Sequence, residues 1–232
     1  YYKFCSGQKK FWGDQMSEIS KRFFSSIFLL IIIYLSLLHS IFLFILLSLI
    51  SFFSLDEFLK IFNKIFKKNK LLVSLIFSIL LVYMIFFSFL IWFYLIPFNK
   101  EKIISLIFIL LICSLTDIGG YLVGKTIGGK KFNKISPNKT YSGVVGSFIL
   151  PLIICYFFYI YLNNQFSFSL NVITVIISVS FISQLGDLLI SFFKRKAKIK
   201  DTGNIIPGHG GVLDRIDGIL LGLPLGIYLI SI

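Results

Sequence analysis

Apolar runs of 17 to 33 residues recur along this chain. A helix rising about 1.5 Å per residue needs about 20 such residues to cross a hydrocarbon core about 30 Å thick. A membrane strand would need only about ten residues, with alternating polarity. The runs therefore predict an all-α, polytopic membrane protein. Composition points the same way. Hydrophobic residues make up 57% of the 232 positions, 28 of them phenylalanine, and only 14% are charged. A soluble domain is about a quarter charged, and the mean hydropathy of +0.92 is far from soluble values. A soluble domain, a disordered tail and a disulfide scaffold are all excluded. Cys113 and Cys155 sit inside apolar runs and Cys5 stands alone, without CxxC or metal-ligand spacing.

Residues 1–22 form a basic N-terminal segment, and the membrane part divides into 23–116 and 117–232. The first apolar stretch, 23–55, is too long for one span and reads as a helical hairpin turning near His39. Its length also argues against a cleavable signal peptide. The charged segment 56–70 reads as a basic surface helix. Further spans are expected at 71–96, 103–124, 143–162, 170–193 and 216–232, about seven in all. In this register 21 of the 23 Lys and Arg residues fall in segments 1–22, 56–70, 125–142 and 194–215, on one side of the membrane. The positive-inside rule makes that side cytoplasmic. It also accounts for the formal net charge of +13 without invoking nucleic acid. No internal repeat is visible, which weakens an inverted-repeat transporter.

Two carboxylates fall inside expected spans, Asp117 and Asp187. Such residues cost about 2.5–3.5 kcal/mol at mid-membrane on insertion scales and usually face a cavity or a partner. Asp187, Ser191 and Lys194 follow i, i+4, i+7 and share one helix face. Either they form part of a polar site, or Asp187 and Lys194 are a buried pair holding helices together. Downstream, Pro207-Gly208-His209-Gly210-Gly211 is a loop whose backbone can approach a ligand and offer N–H groups to phosphate. His209 there is a loop anchor or a general base. Asp214 and Asp217 follow at i and i+3, and with Asp187 they supply three carboxylates suited to Mg²⁺. Lys194, Arg195, Lys196, Lys198 and Lys200 can neutralise phosphate charge, although the last three also fit a solvated basic loop. A third group runs from Asp117-Ile118-Gly119-Gly120-Tyr121 to Ser136-Pro137-Asn138-Lys139-Thr140, without the spacing of a P-loop. Carboxylates for a metal and cations for phosphate thus gather at one membrane face. That is the make-up of a phosphoryl or nucleotidyl transfer site on a lipid-embedded scaffold.

The ordered set Ser191, Lys194-Arg195, Lys200-Asp201 and Pro207 to Asp217 resembles the signature of the phosphatidate cytidylyltransferase (CDP-diacylglycerol synthase) family. The family's upstream pattern is matched by Asp117 to Gly124 and Ser136 to Thr140, so the resemblance covers about 117–217. Glu57 is the counterpart of a family acidic position. The chain departs from the pattern at Gly120 (usually Ala), Asn138 (often Lys), Ser142 (often Glu) and Ile190 (usually Glu).

The resemblance implies transfer of CMP from CTP to phosphatidate, giving CDP-diacylglycerol and pyrophosphate for phospholipid synthesis. It implies Asp187 and Asp214 as ligands of Mg²⁺, with room for a second cation, and Asp217 and Ser191 in support. Lys139, Lys194 and Arg215 are placed on phosphates. Ser136, Thr140, Arg195 and the loop Gly208, His209, Gly210 and Gly211 are placed on substrate, and Asp117 is expected to orient Lys139 or serve the metal indirectly. The partners expected are CTP, phosphatidate and the bilayer, with a homodimer as the assembly to look for. The expected location is a bacterial-type inner membrane with the site facing the cytoplasm. A CTP-dependent lipid kinase and an ion-coupled transporter are the rival readings.

Overall fold

The structure is a computed structural model and describes residues 27–28, 31–67, 69–131, 139–162, 171–203, 205 and 210–231. It is built from helices α1 (Ser40–Ile65), α2 (Lys70–Tyr94), α3 (Lys100–Ile127), α4 (Tyr141–Tyr161), α5 (Val172–Lys196), the single turn α6 (Leu213–Ile216) and α7 (Ile219–Ser231). The expected basic segment 1–22 and the neutral loop 163–169 lie outside the described residues. Among those described, five helices, α1 to α5, are long and apolar enough to cross a membrane. With such helices the chain is an integral membrane protein. Large apolar side chains cover its outside, Leu71 at 74% and Ile79 at 69% exposed among them. Lipid tails, not water, suit that surface.

The expected count of seven spans is not what the described residues show. The break at His39 is present: residues 31–36 are helical, a turn follows at 37–38, and His39 is extended before α1 begins. The segment 56–70, however, is not a separate surface helix. The spanning helix α1 runs on through it to Ile65 and buries Glu57, Phe58, Ile61 and Phe62. These apolar residues recur at the helical period and pack inward, Phe62 meeting Phe193 of α5 edge-on at 5.0 Å. Lys60 and Lys64 stay on the exposed face. At the other end, α7 has 13 residues, about 20 Å at 1.5 Å per residue, too short for a hydrocarbon core of about 30 Å.

What α7 lacks in length it makes up in close packing. Gly218, Gly222 and Gly226 follow at i, i+4, i+8 along its α3- and α5-facing side. A Cβ on Gly218 would stand 2.5 Å from Ser183 Oγ, and one on Gly222 would stand 2.8 Å from Cys113 Sγ. Tyr83 of α2 donates to the carbonyl of Leu220 and holds the helix from the third side. A second glycine seam joins α3 to α4, which pack against each other along most of their length. A Cβ on Gly119 would meet the Gly146 carbonyl oxygen at 2.5 Å, and one on Gly143 would meet the Gly120 oxygen at 2.7 Å. Small residues at such spacing let membrane helices approach backbone to backbone. α1 and α2 are joined by a Ser51–Ser88 hydroxyl pair at 2.7 Å. Ile190 is buried, and beside Phe58, Phe62 and Phe193 it lines an apolar groove.

The seams generate a prediction with an internal control. In Gly146→Ala the new methyl would stand 2.4 Å from Val123 Cβ and 2.7 Å from the Gly119 oxygen. Such overpacking costs about 1–3 kcal/mol, so the melting temperature in detergent should fall. At Gly120 the nearest atom to an added Cβ is 3.5 Å away. Gly120→Ala should therefore hold or raise the melting temperature, since alanine is favoured over glycine in a helix interior by about 0.5–1 kcal/mol.

Candidate functional site

Antiparallel packing of consecutive spans brings the C-terminal ends of α1, α3 and α5 and the start of α4 to one end of the bundle. The α3–α4 seam fixes how these elements meet there. Thr140 caps α4, its hydroxyl accepting from Gly143 N–H at 3.1 Å, which sets the chain direction of Lys139 just before the helix. Lys139 reaches across to α5 and forms an ion pair with Asp187. Ser191, one turn along α5, donates to Asp187 Oδ1 at 3.2 Å. Gly186 presses against the Asp217 carbonyl, where a Cβ would stand 2.5 Å from the oxygen. That contact seats the α6–α7 junction on α5 and buries Asp217, whose Oδ1 accepts from Gly218 N–H at 2.9 Å.

Beside these contacts lies a cavity of about 620 Å³. Asp117, Asp187, Asp214 and Asp217 line it together with Lys125 and Lys139. Gln184 also lines it, with an amide nitrogen that is buried and has no hydrogen-bond partner among the described residues. Neither Gln184 nor Lys125 is among the site residues expected from the sequence. A glutamine on a spanning helix gives no sequence signal until its neighbours are known.

Asp214 is the most heavily bonded of the acids. Its Oδ1 pairs with Lys194 at 2.8 Å, and both side chains are nearly buried, at 10% and 14% exposed. Its Oδ2 accepts from Thr202 N–H at 2.8 Å, Thr202 Oγ1 at 3.0 Å and Gly211 N–H at 3.2 Å. Burial works against ionisation here, but the Lys194 ammonium and the Thr202 and Gly211 amides outweigh it and hold the carboxyl below the usual carboxylate range. A group depressed in this way stabilises the fold at neutral pH. That contribution is lost only as the pH falls through its lowered value. Behind Asp214 stands Glu57 of α1, fully buried. Its Oε1 accepts from Val212 N–H at 3.0 Å, and its Oε2 from Leu213 N–H at 2.9 Å and Thr202 Oγ1 at 2.5 Å.

The pairing bears on two alternatives that the sequence left open. Lys194 does not pair with Asp187 on its own helix face; its partner is Asp214, twenty residues on. Lys139 is ion-paired to Asp187, not to Asp117, which opens into the cavity from α3. Helical spacing ranks neighbours on one helix, whereas the ion pairs form between elements. Arg195 and Arg215 are exposed and do not line the cavity. Gly210 adopts a positive φ of 85° ahead of Gly211, and at Gly211 a Cβ would stand 2.0 Å from Thr202 Oγ1. Ser136, Gly208 and His209 lie outside the described residues. Asp187, Asp214 and Asp217 do face one cavity, as the sequence implied. Among the described residues, however, no three acidic, histidine or cysteine side chains already stand close enough to hold an ion. As a donor set the three still suit a hard cation, since every ligand they offer is an oxygen.

Comparison with known proteins places this geometry. The sequence model of the Cytidylyltransferase family matches residues 68–232. A phosphatidate cytidylyltransferase of Staphylococcus saprophyticus is 43% identical over 142 residues, covering 60% of this chain and 54% of that protein. One of Rickettsia bellii is 46% identical over 125 residues, covering 49% of this chain and 54% of that protein. One of Bacillus subtilis is 41% identical over 119 residues, covering 50% and 44%. The chain spans about half the length of these curated relatives.

The Lys194–Asp214 pair is testable without any substrate. Lys194→Met leaves a nearly buried carboxylate without its cation, and Asp214→Asn leaves the ammonium without its anion. Each single change should lower the melting temperature in detergent. The double variant should lose less than the two losses combined, with a coupling of about 0.5–3 kcal/mol. Strict additivity would show that the two groups do not interact.

Proposed function

The chain belongs to the cytidylyltransferase family, and from that membership we propose that it transfers CMP from CTP to phosphatidate, giving CDP-diacylglycerol and pyrophosphate. The observation that carries this reading is one cavity, at one end of a lipid-covered helical bundle, lined by four carboxylates and by Lys125 and Lys139. In this reading a lipid phosphate and a soluble nucleotide meet in that cavity. In sequence, 21 of the 23 Lys and Arg residues fall in segments expected on one side of the membrane, which supports a cytoplasmic orientation in the inner membrane of a bacterium.

In this reading an oxygen of the phosphatidate phosphate attacks the α-phosphorus of CTP. The bond from that phosphorus to the oxygen bridging it to the β-phosphorus breaks, and pyrophosphate leaves with the electron pair. The nucleophile is already an anion, so no strong base is needed. What the site must do is bring anions together and align them. Lys139 lines the cavity and Lys194 is paired to Asp214, which also lines it; in this reading both neutralise phosphate charge, each exchanging its aspartate for a phosphate oxygen. Ser191 steadies Asp187, and Asp217 closes the floor between α5 and α7. Thr140 fixes the start of α4 and so the position of Lys139. Asp187 and Asp214, with Asp217 beside them, are the residues that would hold Mg²⁺. When bound, the ion would supply charge neutralisation and polarise the α-phosphate. On the resemblance of their motifs alone, Ser136 and Arg195 are assigned to substrate and the Gly208–Gly211 loop to the nucleotide side.

A lipid kinase would transfer the terminal phosphate instead, and radiolabel separates the two. The purified chain, given phosphatidate and Mg²⁺, should place label from α-labelled CTP in the lipid. Label from γ-labelled CTP should be released in pyrophosphate. Lipid labelled from the γ position would refute CMP transfer.

A further inference from the structure

Residues 40–65 lie outside the segment matched by the family. Yet α1 contributes the most deeply buried acid of the described residues, Glu57 at 0% exposed. Burying a carboxylate costs several kcal/mol unless donors surround it. The donors that surround this one come from 145 to 156 residues further along the chain: the Thr202 hydroxyl and the Val212 and Leu213 amides. Gly203 and Gly211 leave the space for it. A Cβ on either would come within 2.6 Å of a Glu57 oxygen. One of the donors, Thr202 Oγ1, lies between two carboxylates, 2.5 Å from Glu57 Oε2 and 3.0 Å from Asp214 Oδ2. The Thr202 amide is bonded to that same Asp214 oxygen, and Lys194 to the other. Anything that fixes Thr202 therefore fixes where Asp214 and Lys194 point.

We propose that Glu57 is a positioning residue for the reaction, acting through Thr202 on Asp214 and Lys194, so that α1 is a working part of the site. This rests on the CMP-transfer reading for its consequence in rate, but the linkage itself does not. Glu57 is not among the described residues that line the cavity. Its effect must therefore pass through geometry and fall on the step in which charge moves, not on capture of the nucleotide. A glutamine at 57 keeps one acceptor oxygen but turns an NH₂ toward a donor, leaving at least one of the three without an acceptor. The change Thr202→Val matches the shape of the side chain without the hydroxyl, while Thr202→Ser keeps the hydroxyl.

The test uses the full chain in detergent, with kcat and KM measured well below each variant's melting temperature. Glu57→Gln should lower kcat by about tenfold or more while KM for CTP stays within about threefold. Thr202→Val should behave alike, and Thr202→Ser should restore most of the rate. The double variant, Glu57→Gln with Thr202→Val, should fall little below the worse single one, since both cut one chain of contacts. A Glu57→Gln protein with wild-type kcat and only a lower melting temperature would overturn the proposal. So would Thr202→Val and Thr202→Ser proteins of equal activity, and that pair decides alone if Glu57→Gln does not fold. If the wild-type chain transfers no CMP, it is the functional reading that fails. Amide exchange then reads the linkage itself: faster exchange over 210–216 in Glu57→Gln sustains it, and unchanged exchange overturns it.

Discussion

A carboxylate buried without a hydrogen-bonding shell is among the costliest groups a fold can carry, and Glu57 binds the two ends of this chain together by that cost. Its shell is satisfied only if the 202–213 segment returns to α1 with the Thr202 hydroxyl and two consecutive amides in place. Asp214 then follows one residue after the last of these amides, with its own carboxylate completed by Thr202, Gly211 and Lys194. The two acids share Thr202, so neither arrangement can loosen without disturbing the other. A polar cluster of this kind fixes one arrangement because half-satisfied alternatives are worse than either full burial or full exposure.

Glycine makes the rest of the site possible. Carboxylates on α3 and α5 and at the α6–α7 junction face one cavity because backbones touch at Gly119–Gly146, Gly120–Gly143 and Gly186–Asp217. Side chains in place of Gly119, Gly143, Gly146 or Gly186 would move the helices apart and separate Asp117 and Asp187 from Lys139. Lipid gives no hydrophobic drive for helix association, so close packing and buried hydrogen bonds must supply it. The short α7 shows the same economy. It is too short to cross the membrane alone, and it is held by a glycine stripe and by the Tyr83 hydroxyl.

Much of this was legible in the sequence because it depends on local physics. Apolar run length identifies spans, and the breaks at His39 and before Pro97 fall where a turn or a span end was readable. The gathering of Asp117, Lys139, Asp187, Asp214 and Asp217 in one cavity was also readable, since each sat in a motif or in an otherwise apolar run. The course of α1 past Asp56 was not. Average polarity hides a helix whose one face is charged and whose other face, Phe58, Ile61 and Phe62, is buried. Nor were the ion pairs. Which lysine meets which aspartate depends on how α4, α5 and α6 are placed in space, and spacing along one helix says nothing of that. Glu57 was recognised as an acidic position, but its partners lie more than 140 residues away and only the fold brings them together.

The central claim is that the carboxylate- and lysine-lined cavity binds the nucleotide. Amine-reactive footprinting of the detergent-purified chain, read by mass spectrometry with and without CTP and Mg²⁺, tests it most directly. Lys125 and Lys139 line the cavity, whereas Lys60 lies on the exposed face of α1 and Lys100 begins α3 at the opposite end of the bundle. CTP should protect Lys125 and Lys139 and leave Lys60 and Lys100 as reactive as before. Equal reactivity at all four with saturating nucleotide, or protection at Lys100 instead, would contradict it.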